Sequence, residues 1–343
     1  MARFKKASDV RVGVVGYGGA FNMGQSHLNQ MKQAGMTPLA VAEIDPKRLA
    51  VAQKDFPGIE TYSSVGRMLK QSEVNLVTVI TPHSTHAPLA LQCLRAGRHV
   101  VCEKPFAVST AECDRMIAEA KKRRLMLSTY HNRHWDGCIM QALKQIRSGR
   151  IGQIVRIEAH MGGYHKPGPT WRSSRSLSGG ILFDWGVHLL EYAFQVIDAP
   201  MVEVAGFAAD GHWAAKTAWK GDTIEDEGFA VVRFANGPWL TLCITHVDSK
   251  PKEGQMEITG TKGTYVFQFR KWRMIRQVAG KVQETEGENP PSEGCRYYRN
   301  VAEHLTKGAP LVITPQWARR PIHVLDLARR SAKLGRAMKV KYE

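Results

Sequence analysis

The sequence lacks features that define several protein classes. Its six cysteines are scattered along 343 residues and form no Cys-x-x-Cys pair, which argues against a zinc site and a disulfide framework. No stretch approaches the ~18 to 20 consecutive apolar residues that a membrane-spanning helix needs. The basic N-terminus leads into a strand pattern rather than into the apolar core of a signal peptide. We therefore predict a cytoplasmic protein with no bound metal and no membrane partner.

Acidic residues are also scarce, since 31 Asp and Glu stand against 48 Lys and Arg, for a formal net charge of +17. Such an excess is compatible with nucleic-acid binding, with anionic substrates or with a solvated basic surface. The basic residues are spread along the chain, and no aromatic-interleaved patch or helix-turn-helix pattern accompanies them. The charge therefore favours a solvated surface, and we expect no specific nucleic-acid partner.

The first 130 residues contain a regular alternation of two patterns. Short, β-branched apolar runs alternate with segments of helical spacing, which predicts βαβ units around a parallel sheet. The predicted strands cover residues 10–15, 38–42, 74–80, 99–102 and 125–130. We assign residues 1–130 to a first domain of the α/β class with a doubly wound parallel sheet.

After residue 130 the pattern changes to segments in which every second residue is apolar, at 154–160, 229–234, 239–245 and 255–260. Such alternation is typical of an antiparallel sheet with one covered face, and Asn236-Gly237 predicts a hairpin turn. Residues 283–294, rich in Glu, Gly and Pro, are predicted to form an exposed loop. We assign residues 131–343 to a second, α+β domain.

A glycine-rich turn follows the first predicted strand. Gly16 and Gly18 stand where a Rossmann dinucleotide-binding turn needs a tight bend and a close backbone approach to the pyrophosphate. Phe21 occupies the place of the third glycine, which Gly24 fills if Ala20-Phe21-Asn22 is an insertion. A simple glycine-rich turn is the alternative. We assign cofactor contacts to Gly16, Gly18, Gly19, Phe21 and Asn22.

An acidic residue at the end of the second strand accepts hydrogen bonds from the adenosine ribose in such domains. Glu43 and Asp45 both stand there, and Asp45 is also a candidate helix N-cap because Pro46 follows it. We place the ribose contact on Glu43. Since a carboxylate repels a 2′-phosphate, NAD is favoured as the cofactor, while Lys47 and Arg48 keep NADP open as an alternative.

Residues 81–86, Thr-Pro-His-Ser-Thr-His, follow another buried strand. In an open α/β sheet, loops at the carboxyl ends of the strands line the ligand crevice. Helix capping is the alternative role for the last histidine of this segment. We assign four of these residues to the cofactor: Thr81, Pro82, His83 and His86.

A lysine follows the next strand, in the segment Glu103-Lys104-Pro105. Lys104 either extends to solvent along its apolar stem or is held near the cofactor. In the second case its charge would stabilise a developing alkoxide or polarise a carbonyl.

Asp184 and His188 form the third candidate group, in the second domain. They are four residues apart, so on a helix both project from one face, and a carboxylate there sets the charge and orientation of the imidazole. A surface Asp–His pair is the alternative. Their large apolar neighbours favour a functional role, because polar groups are costly in such surroundings.

These segments, in this order, resemble the glucose–fructose oxidoreductase / inositol dehydrogenase / rhizopine-catabolism family, Gfo/Idh/MocA. Residues 80–106 are similar to its Thr-Pro-Asn-x-x-His…Glu-Lys-Pro signature, and residues 179–188 to its Gly-Gly-x-x-x-Asp-x-Gly-x-His pattern. The resemblance implies a C-terminal domain with a large, mostly antiparallel sheet through which homodimers or homotetramers form. It leaves open whether the C-terminal helix packs back on the first domain.

The resemblance also implies site residues. Lys104, Asp184 and His188 would be the catalytic group, and Glu103 and Pro105 would shape the loop beneath the nicotinamide. Two departures are His83, which replaces the usual asparagine, and the lengthened glycine loop. Asn132 and Arg133 fall where members of this family often line the cleft. Four further substrate contacts are expected in a Gly- and Pro-rich loop, and they are Tyr164, His165, Trp171 and Arg172.

The implied reaction is hydride transfer between a nicotinamide and a secondary hydroxyl of a polyhydroxylated substrate: a sugar, cyclitol or glycoside. His188 would take the hydroxyl proton, Lys104 would hydrogen-bond the oxygen, and Asp184 would orient the substrate. His246 ends a strand and is a further candidate for the cleft. Two alternatives stay open, an NAD-dependent glycosidase or epimerase without net redox, and a non-catalytic NAD-sensing protein.

Overall fold

The structure is a computed structural model that describes residues 3–19 and 21–341. The chain forms two compact units. The first comprises Met1–His131 with Cys295–Arg319, and the second comprises Asn132–Gly294 with Arg320–Glu343.

The first unit contains a six-stranded parallel sheet in the order β3-β2-β1-β4-β5-β6. Its strands are β1 (Arg11–Val15), β2 (Thr37–Ala42), β3 (Glu60–Tyr62), β4 (Leu76–Val79), β5 (His99–Cys102) and β6 (Leu127–Thr129). The order reverses between β1 and β4. In open α/β sheets the ligand crevice lies beyond the carboxyl ends of the strands at such a point.

Helices connect these strands, and they are α1 (Met23–Gln33), α2 (Pro46–Asp55), α3 (Val65–Gln71), α4 (His86–Arg95) and α5 (Thr110–Arg123). Several begin at the side-chain caps that their sequences offer, since Ser64 accepts a hydrogen bond from the Arg67 amide and Ser109 from the Glu112 amide. Val12 and Val14 of β1 are fully buried. Burial on both faces explains why the central strands are almost wholly apolar.

The second unit contains α6 (Gly137–Arg147), α7 (Arg175–Ser178) and α8 (Leu182–Val196). Near the chain end two more helices follow, α9 (Arg296–Lys307) and α10 (Pro315–Leu334). Of the last two helices, α9 and the start of α10 belong to the first unit, and α10 from Arg320 onward belongs to the second.

A nine-stranded sheet spans the second unit in the order β14-β13-β12-β11-β7-β10-β9-β8-β15. Neighbouring strands are antiparallel except for β7 and β10, which run parallel. Its strands are β7 (Ile154–Gly162), β8 (Met201–Ala209), β9 (Glu227–Phe234), β10 (Trp239–Thr245), β11 (Met256–Gly260), β12 (Gly263–Phe267), β13 (Lys271–Val278), β14 (Lys281–Glu288) and β15 (Met338–Lys339). The predicted mixture of a parallel sheet and a large, mostly antiparallel sheet is confirmed.

One face of this larger sheet is covered. Helix α8 packs on β10 and β7, and the side chains beneath it, including Leu240, Leu242 and Ile157, are fully buried. Side chains on the opposite face of the sheet, such as Val231 and Thr241, are only half-buried. The alternating pattern in the sequence therefore reports a sheet with one packed face.

The predicted turn at Asn236-Gly237 does join β9 to β10, with Gly237 at a φ of 105°. The loop predicted for residues 283–294 is wrong in its first half, because β14 runs through Lys281–Glu288 and pairs with β13. This strand lies at the edge of the sheet and is exposed on both faces. An edge strand of this kind needs no apolar alternation, so the pattern gave no indication of it.

None of the helices built from residues 3–19 and 21–341 combines the length and apolar character that a bilayer crossing demands. Within the same residues no group of three or more His, Cys, Asp or Glu side chains is arranged to hold a metal ion.

Gly206 marks the closest approach between β8 and α10. Its amide donates to Ser331 Oγ at 2.9 Å, and a Cβ added at Gly206 would lie 2.1 Å from the Ala328 carbonyl oxygen. We expect Gly206→Ala to lower the stability of the second unit by about 1–3 kcal/mol, because helix backbone cannot yield as a side chain can. Thermal and urea unfolding would measure this. Gly221→Ala is the matched control, since a Cβ there meets no atom within 4 Å; equal unfolding midpoints for both variants would contradict the packing.

Candidate active site

The turn after β1 requires its first glycine. Gly16 has a φ of 96°, and a Cβ there would lie 2.1 Å from the Ile80 carbonyl oxygen. Its amide donates to the Ala42 carbonyl at 2.9 Å, so the turn is held against β2. A Cβ at Gly18 would meet no atom within 4 Å, which leaves open space on that side of the loop. A tight bend followed by an open glycine suits the approach of a pyrophosphate to the backbone.

Gly24 fills the structural role of the third glycine. It lies in the first turn of α1, where a Cβ would come within 2.5 Å of Tyr17 Cδ2 and 3.1 Å of the Gly16 carbonyl oxygen. Phe21 is 65% exposed, and Asn22 precedes α1 in the left-handed conformation. The third member of the predicted insertion, Ala20, lies outside the described residues. Because α1 begins next to the loop, its N-terminal amides favour an anion there.

Glu43 holds the glycine loop from the end of β2. Its Oε2 accepts the Tyr17 amide at 2.6 Å, and its Oε1 accepts the amides of Ile44 at 2.7 Å and Asp45 at 3.0 Å. The side chain predicted to contact the ribose is therefore also a fixed part of the turn. Asp45 itself is the N-cap of α2, where it accepts the Lys47 amide at 2.9 Å.

Arg48 lies on the other side of the same loop. Its Nε donates to the Tyr17 carbonyl at 2.8 Å, and its Nη2 lies 3.4 Å from Asn22 Oδ1. The Tyr17 hydroxyl donates to Asp55 at 2.8 Å, and burial together with this bond raises the pKa of Tyr17. Tyr17 is thus fixed at its amide, its carbonyl and its side chain. A positive and a negative group consequently flank the turn where an adenosine ribose would lie.

The segment after β4 is tied to the segment after β5 by His86. This histidine is fully buried, with Nδ1 2.7 Å from the Pro105 carbonyl oxygen and Nε2 2.9 Å from the Thr81 carbonyl oxygen. Burial lowers its pKa, opposed by these two carbonyls. Both nitrogens face the main chain, so His86 ties the two loops together, and its predicted contact with the cofactor stays a prediction. His83 is also buried, with its ring 5.7 Å from that of His86.

Glu103 and Lys104 continue β5 at the same edge of the sheet. The Glu103 amide donates to the Val79 carbonyl at 2.9 Å, and its carboxylate accepts the Lys104 amide at 2.7 Å. Burial would raise the pKa of Glu103, but a hydrogen bond from His27 and the charge of Lys104 outweigh it and lower that pKa. Since β1, β4 and β5 are consecutive in the sheet order, Lys104, the Thr81–Pro82 segment and the glycine loop all leave the sheet at one edge.

In the second unit, Asp184 and His188 lie in the first two turns of α8. Gly180, with a φ of 116°, precedes the helix, and Glu225 accepts the Ile181 amide at 2.8 Å. Asp184 Oδ2 lies 3.7 Å from Arg172 Nε, so its carboxylate has a charged partner. His188 is 5% exposed, and its ring lies 5.4 Å from that of Trp185. The pair is therefore not a surface pair on a solvated helix.

Three of the expected substrate residues join this group. The Arg172 guanidinium lies over the Trp171 ring at 4.5 Å. The Arg133 guanidinium lies 4.9 Å from the centre of the Trp185 ring and 5.1 Å from that of Phe269.

Arg133 is further fixed by Asp136, with Nη1 2.9 Å from its carboxylate, which also accepts the Tyr192 hydroxyl at 2.6 Å. Asn132 directly precedes it at the start of a short helical turn.

Tyr164 and His165 belong to a separate cluster. The His165 ring lies 4.4 Å from that of His246, and the 55% exposed Tyr164 contacts His212 through its hydroxyl at 3.2 Å. Burial, and then the charge of His165, lowers the pKa of His246 to about 4. The ring and hydroxyl contacts of these two residues therefore join them to His246 and His212.

Sequence reasoning missed several residues that shape these groups, namely His27, Asp136, Trp185, Glu225 and Phe269. Trp185 could have been found from the sequence, because it lies on α8 one turn before His188. Phe269 and Glu225 come from distant loops, and no local pattern indicates their partners.

Comparison with known proteins identifies the family. Residues 10–131 match the model described as an oxidoreductase family with an NAD-binding Rossmann fold, and residues 139–266 match the GFO/IDH/MocA C-terminal domain. A scyllo-inositol 2-dehydrogenase (NADP(+)) of Bacillus subtilis is 23% identical and covers 98% of both chains. A myo-inositol 2-dehydrogenase of Thermotoga maritima is 26% identical over 74% of both.

The fold recurs in a solved levoglucosan dehydrogenase in complex with NADH and levoglucosan. It has a TM-score of 0.81 and 20% sequence identity, with 97% of this chain and 100% of that chain covered. The glycine positions of the first unit suit the dinucleotide that its family model names, since a Cβ at Gly16 or Gly24 would occupy space that the turn needs. The predictions of the family and of a nicotinamide-dependent oxidoreductase are thereby confirmed: the chain belongs to the Gfo/Idh/MocA oxidoreductase family, with an NAD-binding Rossmann domain in its first unit.

Proposed function

We propose that this oxidoreductase oxidises a secondary hydroxyl of a sugar, cyclitol or glycoside with NAD, and that Lys104, Asp184 and His188 carry the reaction. The observation that supports this most is the environment of His188, a histidine 5% exposed among apolar side chains, one helical turn from a carboxylate. An imidazole so placed is suited to accept a proton from a substrate hydroxyl. The inositol and levoglucosan dehydrogenases similar to this chain support the substrate class.

The roles follow from the chemistry of each side chain. His188 accepts the hydroxyl proton on an imidazole nitrogen, and Trp185 against its ring limits how the ring turns. Lys104 hydrogen-bonds the same oxygen and stabilises negative charge there. Asp184 accepts a hydrogen bond from a neighbouring hydroxyl, with Arg172 as its charged partner. A bound nicotinamide would supply the hydride acceptor for the carbon that bears the hydroxyl.

The substrate side combines flat apolar surfaces with paired charges. Arg133 lies against both Trp185 and Phe269, whose rings contact each other, and Arg172 lies over Trp171. Each guanidinium also has a carboxylate close by, Asp136 and Asp184. Alternating donors and acceptors beside aromatic faces suit a ring that carries several hydroxyls on an apolar carbon frame. This is the basis for assigning Arg133, Trp171 and Arg172 to the substrate.

The first test compares Lys104→Met and His188→Asn with the control His212→Asn, at a histidine outside the Asp184–His188 group. NADH formation would be followed at 340 nm with a panel of myo-inositol, scyllo-inositol, glucose and levoglucosan. We expect kcat to fall by roughly 10²–10⁴-fold in the first two variants, because each removes a group that stabilises the transition state. NAD binding, measured by fluorescence, should survive in His188→Asn.

Three outcomes would argue against this proposal. Normal activity in both Lys104→Met and His188→Asn would contradict the assignment of these residues to the active site. Turnover of a substrate without net NADH would favour a glycosidase or epimerase, and NAD binding without turnover of any substrate would favour an NAD sensor.

The charge at the end of β2 governs the choice of cofactor in this proposal. Glu43 presents a carboxylate that would repel a 2′-phosphate, and Arg48 on the other side of the loop would attract one. We propose that Glu43 prevails and that NAD is preferred, because its two oxygens are fixed by three amides and cannot turn away.

Glu43→Gln should therefore raise the ratio of kcat/KM with NADP to kcat/KM with NAD by about tenfold or more, a change of about 1.4 kcal/mol. The ratio is the informative quantity, since a loosened glycine loop would weaken both cofactors alike. Asp45→Asn is the control, because asparagine also caps a helix and the ratio should stay unchanged. An unchanged ratio in Glu43→Gln would show that another residue selects the cofactor.

We also propose that a second copy of the chain covers the open face of the nine-stranded sheet, giving a homodimer or homotetramer. Apolar side chains are half-buried or exposed on this face, with Phe207 at 61% and Trp239 at 39% exposure, and Val231 and Cys243 lie between them. A patch of this kind on a sheet is typical of a subunit interface.

Val231→Arg should convert the oligomer to a monomer, because it places a charge in the middle of the proposed interface. Light scattering after size-exclusion chromatography would give the mass. Val312→Arg, at a valine 43% exposed in the first unit, is the control and should leave the mass unchanged. An oligomer that persists in Val231→Arg would exclude this face.

A further inference from the structure

A line of hydrogen bonds runs through the interior of the first unit to the segment after β5. The Thr78 hydroxyl lies 3.3 Å from the Tyr298 hydroxyl, which lies 2.6 Å from His27 Nδ1. His27 Nε2 lies 3.0 Å from Glu103 Oε1. The line thus joins β4, α9 and α1 to the residue that precedes Lys104.

Its members are withdrawn from water. Thr78, His27 and Tyr298 have no exposed surface, and the Glu103 side chain is 12% exposed. A hydrogen bond in such surroundings is stronger than one at the surface, and leaving one of its groups unpaired is costly. The arrangement of these groups is therefore well defined.

The donors can be assigned without knowing the charge of His27. If the imidazole is neutral, the Tyr298 hydroxyl donates to Nδ1, and Nε2 carries the ring proton. If it is charged, Nδ1 donates to Tyr298, and Nε2 again carries a proton. Since the Glu103 carboxylate only accepts, His27 Nε2 donates to Glu103 in both cases.

Glu103 is therefore held at both of its oxygens. Oε1 accepts from His27, and Oε2 accepts the Lys104 amide at 2.7 Å. A carboxylate fixed at one oxygen has little freedom to rotate, so the second oxygen fixes the peptide from which the Lys104 side chain leaves. A displacement of about 1 Å in a catalytic group can cost roughly 100-fold in rate.

We propose that His27 is a positioning residue for Lys104, acting by fixing the Glu103 carboxylate against the Lys104 amide. This rests on the proposed function, in which Lys104 is catalytic. His27 lies on α1 and bonds to Tyr298 and Glu103, so its contribution to Lys104 passes through Glu103. These hydrogen bonds also link α1, which begins at the glycine loop, to Lys104 in the loop after β5.

The test substitutes His27 in two ways. His27→Leu fills the space and removes the donor, whereas the amide of His27→Gln can donate to Glu103 while its oxygen faces Tyr298. With NAD and the panel substrate of highest kcat/KM, we expect kcat to fall roughly 10- to 100-fold in His27→Leu. His27→Gln should recover most of it, and the Kd for NAD should change less than twofold in both.

A second readout needs neither substrate nor cofactor. In protein labelled with ¹⁵N-lysine, the Lys104 amide signal is identified by its loss in Lys104→Met. A strong bond to the Glu103 carboxylate moves this amide proton downfield and slows its exchange. We expect the downfield shift in the wild type and in His27→Gln, and its loss in His27→Leu.

A matched pair on α9 guards against a loss of folding. Tyr298→Phe removes the hydroxyl that bonds to His27, while Tyr297→Phe removes an equally buried hydroxyl that donates to Ser128 at 2.8 Å. Only Tyr298→Phe should lower kcat and shift the Lys104 amide. If His27→Leu does not fold, equal effects of the two tyrosine variants would overturn the proposal.

The outcomes separate this inference from the proposed function. Normal kcat and an unchanged Lys104 amide in His27→Leu, with Lys104→Met inactive, would overturn the role of His27 alone. Full activity in Lys104→Met would overturn the catalytic role of the lysine. If no panel substrate is turned over, the Lys104 amide signal tests the role of His27, since it reports the hydrogen bond to Glu103 directly.

Discussion

Carboxylates that accept hydrogen bonds from backbone amides hold the loops on which the rest of this structure depends. Glu43 fixes the glycine loop after β1 through the Tyr17 amide, and Glu103 fixes the loop after β5 through the Lys104 amide. The parallel sheet brings these loops to one edge but leaves their conformations open. A charged acceptor supplies a strong and directional hydrogen bond that fixes the conformation of each loop.

The second unit uses the same interaction. Glu225 accepts the Ile181 amide just before α8, and Asp226 accepts the amides of His212 at 2.7 Å and Trp213 at 3.0 Å. The helix that carries Asp184 and His188 is thereby positioned at its start. In a chain where acidic residues are the minority, several of them bond to the backbone.

The sequence was sufficient for those features that depend on local pattern. The apolar runs of β1, β4 and β5 and the glycines after β1 led to the sheet and its crevice, because burial on both faces imposes a visible composition. Features that depend on partners far away in the chain could not be predicted from the sequence. His27 looks like an ordinary position within a helical segment, since Tyr298 and Glu103 lie far away in the chain.

Two further features depend on burial, which spacing along the sequence does not show. His86 was assigned to the cofactor on its place at a strand end, and the structure adds that it is buried between two main-chain carbonyls. The strand β14 escaped notice because exposure on both faces removes the alternation by which strands are recognised.

The composition of the first unit also sets an order of events during synthesis. Its core includes Tyr298, whose hydrogen bond to His27 spans 271 positions of the chain. At the rate of translation, α9 leaves the ribosome on the order of tens of seconds after α1. The parallel sheet must therefore wait, with an incomplete core, while the whole intervening unit is made. Throughout that interval the nascent first unit exposes the surface that α9 will cover.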